Sequence, residues 1–322
     1  MINTKSKHIQ ALRGIAIIAV VLINNTPEGL YQVFLRPFLN FSVGLFIFLS
    51  GMLSNAQNWN SKRRIKKVII PYIIWTLIYV ALSNINNIFM IPTAFLKNLV
   101  TGKSAAMMYY IFIYCEFTLL IPLIDKLAKS KFKYLGFIIT PIEIIFMRTI
   151  PLMTDWYEIN QYISLIKGVS CLGWFTYYYL GYLLGNNIIT ISNSTKKWSC
   201  LFIASIPIQM LEGYWRFSKG IVNCGTQMKL SAVLTGIFFV ILAYQFIHSD
   251  KKHTSMVLEF LGDNSFGIYF SHIAVMWLLA KLPLYSQIVI YPLNAVIVIV
   301  VNVFFIAVGK KILGKYSKYL AL

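Results

Sequence analysis

Charge is scarce in this chain, and negative charge most of all. Only 12% of the 322 residues are charged, with 10 Asp and Glu against 29 Lys and Arg. Soluble domains average about 25% charged residues. That shortage, with 58% hydrophobic residues and a mean hydropathy of +0.69, excludes a soluble globular protein. Cysteine is also sparse. Cys115, Cys171, Cys200 and Cys224 show no metal-ligand spacing and read as free thiols in or beside apolar segments. The four histidines are scattered and suggest no metal site. The sequence holds no Gly-rich phosphate loop, no Ser-x-x-Lys, no Gly-x-Ser-x-Gly and no paired His/Glu metal motif. It also lacks internal repeats and low-complexity segments, and the missing inverted repeat argues against a secondary transporter.

Long apolar runs are what the chain does have. About ten helical spans are expected, at 9–27, 38–56, 66–85, 105–125, 134–151, 168–187, 198–214, 228–248, 256–280 and 286–309, each near the roughly 20 residues that cross a bilayer. Pro141 and Pro207 make the fifth and seventh the weakest. The stretch 85–103, which contains Pro92, reads as an interfacial or re-entrant segment. The first span should persist as a signal anchor, because Arg13 interrupts its apolar core and no cleavage site follows.

The net charge of +19 does not point to nucleic acid. The basic residues sit in short loops, where they set topology and meet anionic lipid heads. Lys5 and Lys7, the run Lys62 to Lys67, Lys126 to Lys133, Lys196 and Lys197, Lys251 and Lys252, and Lys310 to Lys318 all fall on one side of a ten-span bundle. The positive-inside rule makes that side the cytoplasm, with both termini inside. The opposite loops hold Glu28, Asp155, Glu158 and Glu212. Trp156, Trp198 and Trp215 near span ends fit an aromatic belt. The expected fold is therefore an all-α polytopic membrane protein, a single domain over residues 1–322.

Span one carries the residues of most interest. Arg13 and Asn24 are 11 positions apart, which puts them about 20° apart on one helix face and roughly 16 Å apart along the axis. A guanidinium inside a membrane helix costs about 2.5–3.5 kcal/mol on insertion scales and marks a functional site by default; the bland alternative is snorkelling to the interface. Asn24 and Asn25 can equally be the polar end of the span. Glu116 and Glu143 lie near the middle of their spans, where a lone carboxylate must neutralise or pair. With Arg13 taken as the only basic residue well inside a span, a buried Arg13–Glu116 pair is expected, holding helices together or moving protons. His272 on span nine reads as a hydrogen-bonded packing residue or a catalytic base. Gly14, Gly44 and Gly51 should permit close helix packing. The cluster Lys62, Arg63, Arg64, Lys66 and Lys67 sets topology and suits phosphate recognition.

LRGIAIIAVVLINN in span one resembles the first span of the membrane acyltransferases called acyltransferase-3. VGLFIFLSGML (43–53), RRIKKVIIPYIIWTLIY (63–79), YYIFIYCEFTLLIPLI (109–124), WFTYYYLGYLLG (174–185) and NSFGIYFSHIAV (264–275) are similar to later parts of that family, in order. The resemblance implies transfer of an acyl group, acetyl above all, from cytoplasmic acyl-CoA to a hydroxyl of a surface or exported glycan. It implies a multi-pass protein of the bacterial cell membrane, with membrane lipid, acyl-CoA, a glycan acceptor and polysaccharide-assembly proteins as partners, and no permanently bound cofactor or metal. Arg13 matches the family's span-one Arg, and Arg63 and Arg64, with Lys67 beside them, would meet the donor's phosphates. The family's span-one His is Asn24 here. A carboxamide can donate a hydrogen bond but has no proton to exchange near neutral pH, so it cannot be the general base. The alternative is a degenerate member acting in glycan export or assisting a synthase.

Overall fold

A computed structural model describes residues 2–57, 59–153, 168–249, 254–286 and 289–322. Asp155, Trp156, Glu158, Lys251, Lys252 and His253, and the side chain of Lys5, lie outside the described residues. All regular structure among the described residues is helical. This follows from the apolar composition, because a backbone in lipid must satisfy its own polar groups and a helix does so within one segment.

The helices in chain order are α1 (Ile2–Asn24), α2 (Leu30–Met52, with a 3-10 turn at Arg36–Phe38), α3 (Ser61–Ser83), α4 (Ile91–Thr101) and α5 (Tyr109–Lys129). There follow α6 (Lys133–Met153), α7 (Phe175–Gly185), α8 (Thr195–Ser218), α9 (Leu230–Ile247), α10 (Met256–Asp263), α11 (Ser265–Leu279) and α12 (Leu293–Leu313). Six helical segments are long and apolar enough to cross a membrane: Ser6–Asn24, Leu30–Met52, Ser61–Ser83, Lys133–Met153, Leu230–Ile247 and Leu293–Leu320. The other four expected spans also fall on helix. However, α5 carries Glu116, Asp125 and Lys126, α7 is short, α8 carries charges at both ends, and the ninth is divided at Asn264. Pro207 sits inside the unbroken 24-residue α8 and Pro141 inside α6, so neither proline ends its helix. In the 85–103 stretch, α4 begins with Pro92 in its first turn, ends on Gly102 at φ 65°, and has no buried residue.

Small residues set the closest packing. A Cβ on Gly14 would run into the Leu258 carbonyl oxygen, and one on Gly262 into that of Gln10, so α1 and α10 touch backbone to backbone. Gly51 meets the Tyr178 carbonyl, Gly181 that of Phe48 and Gly185 that of Met52, which seats α2 against α7 in the same way. Gly14 and Gly51 thus do what the sequence suggested, and Gly44 lies against the ring of Tyr177.

Aromatic rings and paired hydroxyls fill the interior between these contacts. Phe117 stacks on Tyr178 at 4.2 Å. Tyr79 Oη donates to Phe270 O at 2.7 Å and accepts from Ala274 N at 3.0 Å, tying α3 to α11. Trp75 Nε1 donates to Leu320 O at 3.0 Å and holds the tail after α12 against α3.

Candidate active site

Two cavities flank α1, one at each end of its polar face. The first, of about 740 Å³, is basic. Arg13 enters it from α1, Arg63, Lys66 and Lys67 from α3, and Lys318 from the tail, against Asp263 as its one lining acid. Ser50, Tyr110 and Tyr114 add hydroxyls. The α3 trio has helical logic: positions i, i+3 and i+4 share one face. Asn60 starts that helix by accepting from Arg63 N at 2.9 Å. Arg64 falls about 100° away from Arg63. It does not line the cavity; its guanidinium lies 3.9 Å over the Trp59 ring. The cavity thus brings Arg13, Arg63 and Lys67 together and leaves Arg64 out. Lys318 joins them only through the tail's return, which no local pattern announces.

The second cavity, of about 500 Å³, is polar and contains Asn24, Glu28, Arg36, Arg148, Trp174 and Asn223. Arg36 is fixed by donating to Asn223 Oδ1 at 2.6 Å and to Ile23 O at 3.4 Å. Asn24 Nδ2 donates to Val20 O at 2.9 Å and lies 3.3 Å from His272 Nε2. His272 Nδ1 faces two carbonyl oxygens, Tyr269 O at 2.8 Å and Ile268 O at 3.1 Å. Those acceptors assign the ring proton to Nδ1 and leave Nε2 with a lone pair, which the Asn24 amide meets as donor. A flipped amide would set its oxygen against Val20 O. His272 is fully buried and lines neither cavity, standing behind Asn24 as seen from the polar one. The cavities share two lining residues, Val43 and Tyr269.

The acids pair differently from the sequence expectation. Glu116 Oε2 accepts from Cys171 N at 2.6 Å, which ties α5 to the turn before α7. No carboxylate among the described residues lies within ion-pair distance of Arg13, so the Arg13–Glu116 pair does not form. Glu143 has its own partner, Arg148, at 3.1 Å, and Arg13 is thus not the only basic residue inside a span. A π-turn over Ile145–Thr149 explains how positions five apart meet: it shifts the register by one residue, and Thr149 Oγ1 likewise reaches Ile144 O. On α8, Glu212 binds Arg216 at 3.1 Å and accepts from Ser231 N at 3.0 Å. Glu212 is thus a helix residue joining α8 to α9, not the loop residue expected. Beside it Lys229, fully buried, donates to Gln209 O at 2.8 Å.

Among the described residues no group of three or more His, Cys, Asp and Glu is arranged to hold a metal ion. A comparison with known protein families matches residues 7–309 to acyltransferase-3, described as an acyltransferase domain. No curated protein and no solved structure matches the chain.

Proposed function

Because the chain belongs to the acyltransferase-3 family of acyltransferase domains, we propose that it transfers an acetyl group from cytoplasmic acyl-CoA to a hydroxyl of a surface or exported glycan. The observation that carries this reading is the pair of unlike cavities at the two ends of one helix face. The basic cavity sets Arg13, Arg63, Lys66, Lys67 and Lys318 against Asp263, a surplus of cations suited to the phosphates of coenzyme A. The polar cavity, with Asn24, Trp174 and Asn223, offers donors, acceptors and a ring face to a sugar. In this reading the ten expected spans cross the bacterial cell membrane, both termini are cytoplasmic, and the basic cavity opens inward.

Chemistry at Asn24 follows from the hydrogen bonds. An acceptor hydroxyl entering the polar cavity displaces the Asn24 amide from His272 Nε2 and gives its proton to that nitrogen as its oxygen attacks the thioester carbonyl. The released amide donates to the developing oxyanion. The carbon–sulfur bond breaks, and the imidazolium returns its proton to the leaving thiolate. Arg13 orients the donor, and Glu116 positions the turn at Cys171. The test compares alkali-labile acetyl esters in the host glycan with the gene present, deleted, and carrying Arg13→Ala. Unchanged esters in all three would overturn the reading.

The 3.3 Å contact of Asn24 with His272 Nε2 also favours a second reading, in which the amide keeps the His272 imidazole occupied and the protein serves glycan export or a synthase. Asn24→His separates the two. Activity gained only in that variant supports the non-catalytic reading, and activity in the parent refutes it.

A further inference from the structure

We propose that Tyr269 is the seal of a single path through the protein, of which the basic and polar cavities are the two halves. Tyr269 and Val43 line both cavities, so at that layer one wall serves the two. Met107 faces the polar cavity and Tyr110 the basic one. The Tyr269 hydroxyl donates to the Met107 carbonyl, and its ring lies 5.4 Å from that of Tyr110. Val43, Met107 and Tyr269 are all buried, at 6%, 4% and 7% exposure.

The layer has to be there for a physical reason. Two cavities of about 740 and 500 Å³ that share a wall would short-circuit a membrane to water and ions unless an apolar partition divides them. An aromatic ring fits that task. It is wide and rigid, and its buried hydroxyl needs a partner, so the bond to Met107 O fixes its angle. The backbone carbonyl of Tyr269 itself accepts from His272 Nδ1 at 2.8 Å. The seal and the Asn24–His272 pair therefore share one turn of α11, and a rotation that opens one moves the other. That the path carries an acyl group rests on the function proposed above. The seal itself does not.

The experiment reads access to the cavities and makes no use of acyl transfer. In a chain with Cys115, Cys171, Cys200 and Cys224 replaced by serine, Ser50→Cys reports the basic cavity and Thr226→Cys the polar one. A membrane-impermeant thiol reagent is added to right-side-out and to inverted vesicles. With Tyr269 in place, each reporter is expected to label from one face only. In Tyr269→Ala, Ser50→Cys gains labelling from the face that was closed, and Tyr269→Phe, which keeps the ring, does not. Labelling of Thr226→Cys from its own face checks that the variant is folded. Val43→Ala thins the same wall from α2 and repeats the test without touching α11. Two-faced labelling of Ser50→Cys with Tyr269 intact overturns the proposal, as does one-faced labelling in both Tyr269→Ala and Val43→Ala.

Discussion

The sharpest prediction concerns Asn24→Ala. The Asn24 amide reaches a nitrogen on a fully buried ring, at 3.3 Å. Leaving such an acceptor without its donor costs about 1–3 kcal/mol of stability. The rate effect is larger if the same amide donates to the oxyanion, since removal of one such donor lowers kcat by about 10²–10³. His272→Ala removes the base and costs about 10²–10⁴. The two groups touch, so they should act as one unit, and the double variant should be no slower than the slower single variant. Donor KM should hold constant throughout, because the basic cavity begins at Arg13, roughly 16 Å along α1. The assay follows label from acetyl-CoA into alkali-labile ester in isolated membranes, with a melting curve in detergent for each variant. Parent-like kcat in Asn24→Ala would refute the oxyanion role. A double variant whose loss is the product of the two single losses would refute the coupling.

Four further outcomes follow from the geometry. Arg63→Ala and Lys67→Ala should raise donor KM, whereas Arg64→Ala, which removes a guanidinium lying on Trp59, should leave it within experimental error. Raising ionic strength from about 0.01 to about 0.15 M shortens the Debye length from about 30 to about 8 Å, so donor KM should climb while kcat holds; a salt-independent KM would argue against the basic cavity as donor site. Gly14→Ala should lower the yield of monodisperse protein from membranes, because its Cβ meets the fixed Leu258 carbonyl at the cost of overpacking, about 1–3 kcal/mol. Glu143→Gln breaks a part-buried ion pair and should cost about 1–3 kcal/mol, read as a lower melting temperature in detergent.

Much of the fold was legible because lipid leaves the backbone little choice. Each expected span falls on helix, and the glycines chosen for close packing do pack closely. The basic cluster at the start of α3 was also legible, but which of its members face the cavity was not: Arg64 is i, i+3 to Lys67, and only the structure shows it turned onto Trp59. What escaped the sequence was whatever depends on an irregular turn or on a distant segment. Glu143 and Arg148 are five apart, a spacing that faces neither a regular helix pair nor a strand, and only the π-turn brings them together. Lys318 reaches Arg13's cavity because Trp75 holds the tail. Asn24 and His272 are 248 positions apart, and nothing local in either segment indicates that an amide and an imidazole will meet.

The backbone contact of Gly14 with Leu258 also bears on how the protein is made. The two residues are 258 − 14 = 244 positions apart. At about 5–20 residues per second, α1 leaves the ribosome roughly 10–50 s before α10 exists to receive it. For that interval the Arg13 helix has neither its backbone partner nor the enclosing cavity, and its guanidinium must reach toward lipid headgroups for water and counter-charge. The helix that carries the candidate chemistry thus enters the membrane long before the segment that locks it in place, so its final depth is decided by α10.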